Sequence, residues 1–251
     1  MSGINTSGAL LMAQHNLTRA DGVVASAMQK LATGLRINRG ADDPAGLITS
    51  ENLRAALASL EAESRSMERS DAVANVADGA LAEVSGLLAD AQGAAVAMAN
   101  TAGMSDAERA AHQMEMDSAM QSVDRIAATT TFNGQRVFGA DMTLHAGDAS
   151  LELAGFSAPS GTDAEALSDA AAMIASMRGE IGAFQANAIE PQLRSNAATM
   201  ENTMGANSLI RDTDFAAEVA NLARARVLQA SALGVLALAG SEPLGAAEML
   251  G

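Results

Sequence analysis

Residues 4–17, INTSGALLMAQHNL, and residues 209–236, LIRDTDFAAEVANLARARVLQASALGVL, stand at opposite ends of a 251-residue chain and read as parts of one structure. In the first, Leu10, Leu17, Val24 and Leu31 recur every seven residues, with Ala13, Ala20, Ala27 and Gly34 three positions after each. That is the a/d seam of a coiled coil, large on one side and small on the other. In the second, Phe215, Leu222 and Leu236 keep the same period, joined by Val219 and Leu233. Neither helix can bury its stripe alone, so the two most simply pack against each other or against copies of themselves. The fold class is mainly α, with long coiled-coil helices from both chain ends.

Working inward, the first helix is predicted from about Thr6 to Thr33, where Gly34 and LRINRGADDPAGL interrupt it. Asp43 before Pro44 is a helix start: an acceptor side chain at the N-cap and proline at the first helical position. The adjacent acids Asp42 and Asp43 read as capping groups rather than as an acid/base pair, because no histidine or second carboxylate pair lies near them in sequence. From Pro44 the pattern runs to about Asn100, roughly 85 Å at helical rise. Leu53, Leu60, Met67, Ala74, Leu81, Leu88 and Ala95 hold one heptad position along it. Gly79, Gly86 and Gly93 repeat in phase on another face, where a second helix or subunit could come close. Ser105 and Glu108 form a capping box that restarts a helix, with Met116, Met120, Val123 and Ala127 as its apolar stripe down to Thr129.

The period then changes. Phe132-Asn133-Gly134 is a turn signal; Met142, Leu144 and Ala146 alternate before Gly147-Asp148, and Leu151 and Leu153 after it. This predicts one small β-hairpin region at about residues 130–156. Helix returns with Leu167, Ile174 and Ile181. Pro191 falls inside the pattern, which resumes two residues out of phase at Leu193 and Met200, so a kink or break is expected near Glu190. Asp212 or Thr213 should cap the last helix. Ser241-Glu242-Pro243-Leu244-Gly245 should end it near Gly240 and leave a loose tail.

Aromatic residues make up 2% of the chain, Trp and Tyr are absent, and alanine dominates. Burial must come from aliphatic side chains, methionine and close alanine contacts, which long alanine-rich helices supply. The formal charge of −15, from 30 acids against 15 bases, argues against nucleic acid and against an anionic membrane surface. No stretch is read as a transmembrane helix, and the first residues lack the profile of a cleavable signal peptide. Zero cysteines exclude disulfides and thiolate metal sites. The three histidines, His15, His112 and His145, are scattered. His112 and Glu115 lie one helical turn apart without a further ligand, and the HExxH pattern of a zinc protease is missing. No catalytic residue, cofactor or metal site is expected, and the chemistry left is that of interaction.

INTSGALLMAQHNL, LATGLRIN, ADDPAGL, TTTFNGQRVF and IRDTDFAAEVANLARARVLQA together resemble bacterial flagellin, in order, over roughly residues 3–140 and 176–240. Only about 35 residues separate the two halves, so the resemblance is to a short form lacking the variable outer domains. It implies an inner coiled-coil domain from residues 1–43 and 211–251 and an outer helical domain from 44–210, with Asp42, Asp43 and Pro44 at the turn between them. It implies a secreted, extracellular subunit that self-assembles into the flagellar filament for motility, exported without a cleaved signal. A related class, the hook–filament junction protein, is the alternative. Implied partners are further copies of the chain, an export chaperone on the C-terminal helix covering Leu222, Leu233 and Leu236, the flagellar export apparatus and the filament cap. Pro191 departs from the family's uninterrupted helix. In members detected by an innate immune receptor, an exposed arginine is followed closely by a leucine. Alignment through Ala95, Val96 and Asn100 puts those positions at Asp90 and Ala94, which implies weak recognition.

Overall fold

The computed structural model describes residues 3–99, 103–139 and 142–248. Six α-helices carry the chain: α1 (Gly3–Thr33), α2 (Pro44–Ala99), α3 (Asp106–Thr129), α4 (Ala164–Phe184), α5 (Glu190–Arg211) and α6 (Phe215–Glu248). Two antiparallel hairpins lie between α3 and α4, within the strand region expected at about residues 130–156. The chain packs as two compact units, one from residues up to Leu57 together with those from Asn202, the other from Ala58–Glu201.

In the first unit α1 and α6 run antiparallel, because Lys30 pairs with Glu218 (3.9 Å) while Gln229 donates to Asp21 (2.7 Å). Ala13, Ala20 and Ala27 of α1 and Ala225 of α6 are buried at the centre of the seam. Leu17, Val24 and Leu31 flank them, half-buried. On α6 the covered stripe is Leu222, Ala225, Gln229, Ala232 and Leu236. Phe215, Val219 and Leu233 stay at least half exposed, and Leu10 of α1 is 40% exposed. Of the two expected modes of burial, packing within the chain therefore does not cover these four, and packing against copies of the chain is left for them. Apolar residues surround α6 almost completely, and a helix of that kind carries no single stripe from which to read a register.

The second unit has one main core. Val73, Ala77, Leu81, Val84 and Leu88 of α2 meet Met116, Met120 and Val123 of α3, and Leu167, Ile174 and Ile181 of α4. Strands β1 (Thr131–Phe132) and β2 (Gln135–Arg136) are joined by Asn133 and Gly134 at φ 50° and 80°. Positive φ at both central residues is what the two-residue hairpin turn requires. Strands β3 (Thr143–Ala146) and β4 (Ala149–Glu152) turn at Gly147. Leu144 and Ala146 point inward, and the His145 N–H donates to Ser70 Oγ at 3.1 Å. Phe138 and Phe156 pack edge-to-face at 4.8 Å.

Two breaks and one apolar length read from the sequence turn out differently. Pro191 does not break its helix: Gln185–Ile189 form a π-helical segment, closed by the Glu190 N–H donating to Gln185 O. The wide turn absorbs one extra residue, so the buried positions Leu167, Ile174 and Ile181 are followed eight residues later by Ile189 and then by Asn196. The buried stripe is thus displaced by one residue, through Ile189 and Asn196, and not by the two residues expected at Leu193 and Met200; the wide turn relieves the clash of the proline ring with the preceding turn. At the C-terminal end α6 continues through Pro243 to Glu248 rather than ending at Gly240; residues 249–251 lie outside the described residues. Extending an existing helix needs no new nucleus, so local breakers weigh less there than at a helix start. The third concerns apolar length: α2 is long and apolar enough to cross a membrane, with an 18-residue window of mean hydropathy 1.3, contrary to the expectation that no stretch is. A third of that window is buried in the protein. The expected end of α2 at Asn100 lies outside the described residues.

Candidate assembly interface

The two connections that enter and leave the α1–α6 pair are tied to each other by backbone. Gly34, at φ 72°, ends α1 with its N–H on Lys30 O at 2.8 Å. A glycine takes this left-handed position without strain. Leu35 then bridges Asp212, the Arg36 N–H donates to Arg211 O (2.6 Å), and the Thr213 N–H donates to Gly34 O (2.9 Å). The two connections are thus fixed at one place by main-chain bonds that do not depend on side-chain identity.

The acids of ADDPAGL divide their work. Asp42 Oδ2 accepts the N–H groups of Asn38 (3.0 Å) and Arg39 (2.9 Å), and these bonds, the one from Arg39 first, hold its carboxyl below the usual range. Asp43 Oδ1 accepts from the Gly46 N–H (2.9 Å) and so caps α2, with Pro44 as the first residue of that helix. Ile37 is buried beside them. One level further along, the fully buried Ser50 donates to Asn207 Oδ1 at 2.7 Å. Glu51 accepts from Arg54 and from Arg211, each at 3.0 Å; the Arg54 hydrogen bond is the larger cause of its lowered pKa.

Above this junction the α1–α6 pair holds an open groove of about 940 Å³. Asn16, Arg19, Val23 and Ser26 line it from α1, and Asn221, Arg224, Leu228 and Val235 from α6. Its walls mix polar and charged side chains, Lys30 and Glu218 among them, with apolar ones left in solvent: Val23 is 47% exposed, Leu228 64% and Val235 58%. Leu11 of α1 is also exposed, at 59%. Phe215 and Val219 lie outside the groove lining, and Phe215 approaches Gly34.

Of the sequence-derived positions, the structure brings Leu17, Val24, Leu31, Leu222 and Leu236 together and leaves Leu10, Phe215, Val219 and Leu233 outward. The cap of α6 is Asp214, whose Oδ1 accepts from Ala216 and Ala217, and neither Asp212 nor Thr213; with three capping-type residues in a row, only backbone geometry selects one. Asp90 is exposed, whereas Ala94 is buried in the core of the second unit. The two therefore do not form one receptor-facing patch: four residues turn a helix by slightly more than a full turn, and that suffices to carry Ala94 inward. Gly79, Gly86 and Gly93 are exposed, with open space beside each. Sequence reasoning missed the Ser50–Asn207 bond and the crowding at Gly46, which depend on partners distant in sequence or on the path of a turn. Among the described residues no cluster of three or more His, Asp or Glu is arranged to hold a metal ion.

Residues 4–143 match the bacterial flagellin N-terminal helical region and residues 164–243 the bacterial flagellin C-terminal helical region. A flagellin of Halalkalibacterium halodurans is 30% identical over 248 residues, covering 89% of this chain and 90% of that one. A flagellar filament 30.7 kDa core protein of Treponema maltophilum is 28% identical over 252 residues, covering 86% and 88%. With the phase 2 flagellin of Salmonella abortus-equi, 32% identity extends over 141 residues, 56% of this chain and 28% of that one. A solved Vibrio parahaemolyticus chain described as a putative flagellar hook-associated protein overlays with a TM-score of 0.43 at 16% identity, covering 81% of this chain and all of that one.

Proposed function

The chain belongs to the bacterial flagellin family, and from that premise we propose that residues 1–43 and 211–251 are the inner, polymerising domain of the subunit and residues 44–210 the outer one. Flagellins are structural rather than catalytic. This chain is a subunit of the extracellular flagellar filament, exported and self-assembling. The observation that carries the domain assignment is the uncovered apolar groove of the α1–α6 pair. A neighbour's helix laid into that groove makes a heterologous contact, and such contacts generate a helical polymer when their rotation does not close.

The same surface supports the export partners that the resemblance implies. Leu233 is exposed, but Leu222 and Leu236 sit half-buried against α1. A chaperone that covers all three must hold α6 away from α1. The pair's alanine-rich seam buries little area per residue, so that separation is cheap before assembly. The export apparatus and the filament cap complete the partner set. No cofactor or metal enters this reading.

Negative-stain microscopy of purified subunits after seeding tests it. Long uniform filaments are expected, and removal of residues from Phe215 onward should leave a soluble subunit that does not polymerise. Normal polymerisation of the truncated chain would refute the domain assignment. Short closed rings from the whole chain would point instead to a hook–filament junction protein.

A further inference from the structure

Among the described residues Asn133 is the one non-glycine residue with a positive φ, at 50°. It holds the first central position of the β1–β2 turn, exposed, with Gly134 after it at φ 80°. Left-handed backbone costs a side chain energy, and such positions cluster at functional sites. Asn133 is also the only asparagine of the chain followed by glycine. The nitrogen of a glycine has no side chain beside it to shield it from the preceding carboxamide. An added Cβ at Gly134 would meet nothing within 4 Å, so the surroundings do not shield it either. The remaining described asparagines are better protected. All but Asn38 lie in helices, and the Asn38 Nδ2 donates to Leu35 O at 2.8 Å, with Arg39 following.

We propose that Asn133 is a self-modification site: the Gly134 backbone nitrogen attacks its carboxamide to give a cyclic imide and then isoaspartate, and this change opens the β1–β2 hairpin. In the step, the Gly134 nitrogen gives up its proton and bonds to Asn133 Cγ. The Cγ–Nδ2 bond breaks, and the amide nitrogen leaves with that proton as ammonia. Water then adds to one imide carbonyl and reopens the ring. Opening at the Asn133 main-chain carbonyl leaves isoaspartate, with the chain running through the side-chain carbon; opening at Cγ leaves ordinary aspartate. Nothing is oxidised or reduced, and water is the only co-reactant. The turn sets the pace. Its two positive φ values are those of a type I′ turn, the mirror image of type I, which puts ψ of Asn133 at roughly 30°. Ring closure needs rotation about the Asn133 Cα–C bond away from that value, so the reaction passes through an opened turn.

Isoaspartate adds one methylene to the backbone between the strands. A two-residue turn then no longer closes the Phe132–Gln135 and Thr131–Arg136 pairs. Beyond them the Val137 N–H donates to Thr130 O at 3.0 Å. Val137 and Phe138 are buried in the core of the second unit, Phe138 edge-to-face on Phe156. Loss of the hairpin removes the tie that holds these two residues to the end of α3. The change accumulates with time in water, and it does not depend on how copies of the chain associate.

The test incubates the whole chain in mildly alkaline buffer and locates the amide-to-acid change by peptide mass. Protein isoaspartate methyltransferase labels the isoaspartate, and hydrogen exchange is followed at the Val137 amide. Isoaspartate should appear at position 133 before acid appears at any other asparagine. The fraction carrying it should exchange at Val137 about tenfold faster, the worth of one or two backbone hydrogen bonds. Asn133→Gly keeps a turn that positive φ suits and has no carboxamide, so its exchange should not change on the same incubation. Freshly prepared Asn133→Asp carries the new charge without the added methylene and should exchange as the untreated native chain does. Earlier conversion at another asparagine overturns the site. So does the absence of conversion at 133 over a time in which an isolated peptide of residues 128–138 converts completely. Unchanged exchange at Val137 in the isoaspartate form overturns the opening of the hairpin, as does an equal increase in Asn133→Asp.

Discussion

Two glycine-to-alanine substitutions in the same helix should have opposite signs. At Gly93 of α2 an added Cβ meets nothing within 4 Å, so Gly93→Ala should stabilise its unit by about 1 kcal/mol through helix propensity alone. At Gly46, in the first turn of α2, the added Cβ would overlap the Asp43 carboxylate and come within 2.7 Å of Ile37 Cδ1. Ile37 is 1% exposed and cannot move into solvent. Displacing Asp43 breaks its bond to the Gly46 N–H, a loss of about 1 kcal/mol for an N-cap. Overpacking at Ile37 adds roughly 1–3 kcal/mol. Against these stands the same propensity gain of about 1 kcal/mol, so Gly46→Ala should destabilise by about 1–3 kcal/mol. Native-state hydrogen exchange is the suitable assay, read separately for amides of the two units, which need not open together. Gly46→Ala with unchanged or increased protection in the first unit would refute the crowding argument. Loss of protection on Gly93→Ala would show that its open face is occupied.

Deleting one residue from the π-helical segment should restore a seven-residue step but leave Pro191 inside a regular α-helix, at a cost of about 3 kcal/mol; adding Pro191→Ala should recover most of the loss in thermal denaturation, and no recovery would mean that the segment does not exist to accommodate the proline. The lowered pKa of Asp42 means that its bonds to Asn38 and Arg39 contribute fully above the ordinary carboxylate value of 3.8 and are lost as pH falls through the lower folded value. NMR shifts of the Asn38 and Arg39 amides should therefore titrate below 3.8, and a midpoint at or above it would contradict the geometry. With a carboxylate at exposed Asp90, depolymerised protein should activate the innate receptor weakly in reporter cells. Asp90→Arg should raise the signal, and an unchanged signal would separate this position from recognition.

The mainly helical class, the order of elements, the capping box at Ser105, the Asp43–Pro44 start and the turn at Asn133-Gly134 were legible in the chain. Each depends on residues within a few positions of one another, where hydrogen-bond reach and φ preferences settle the conformation. The family was legible for the same reason, in short motifs at fixed spacing. Tertiary structure decided what lies between distant segments: the Ser50–Asn207 bond, the Leu35–Asp212 bridge, and the face of α6 that meets α1. Periodicity cannot choose among the faces of a helix that is apolar nearly all round. It also could not tell a broken helix from one that takes up an extra residue at Pro191, since both shift the stripe alike. Only the packing of Ile189 and Asn196 selects the second, because a continuous helix with one wide turn keeps both on the buried side.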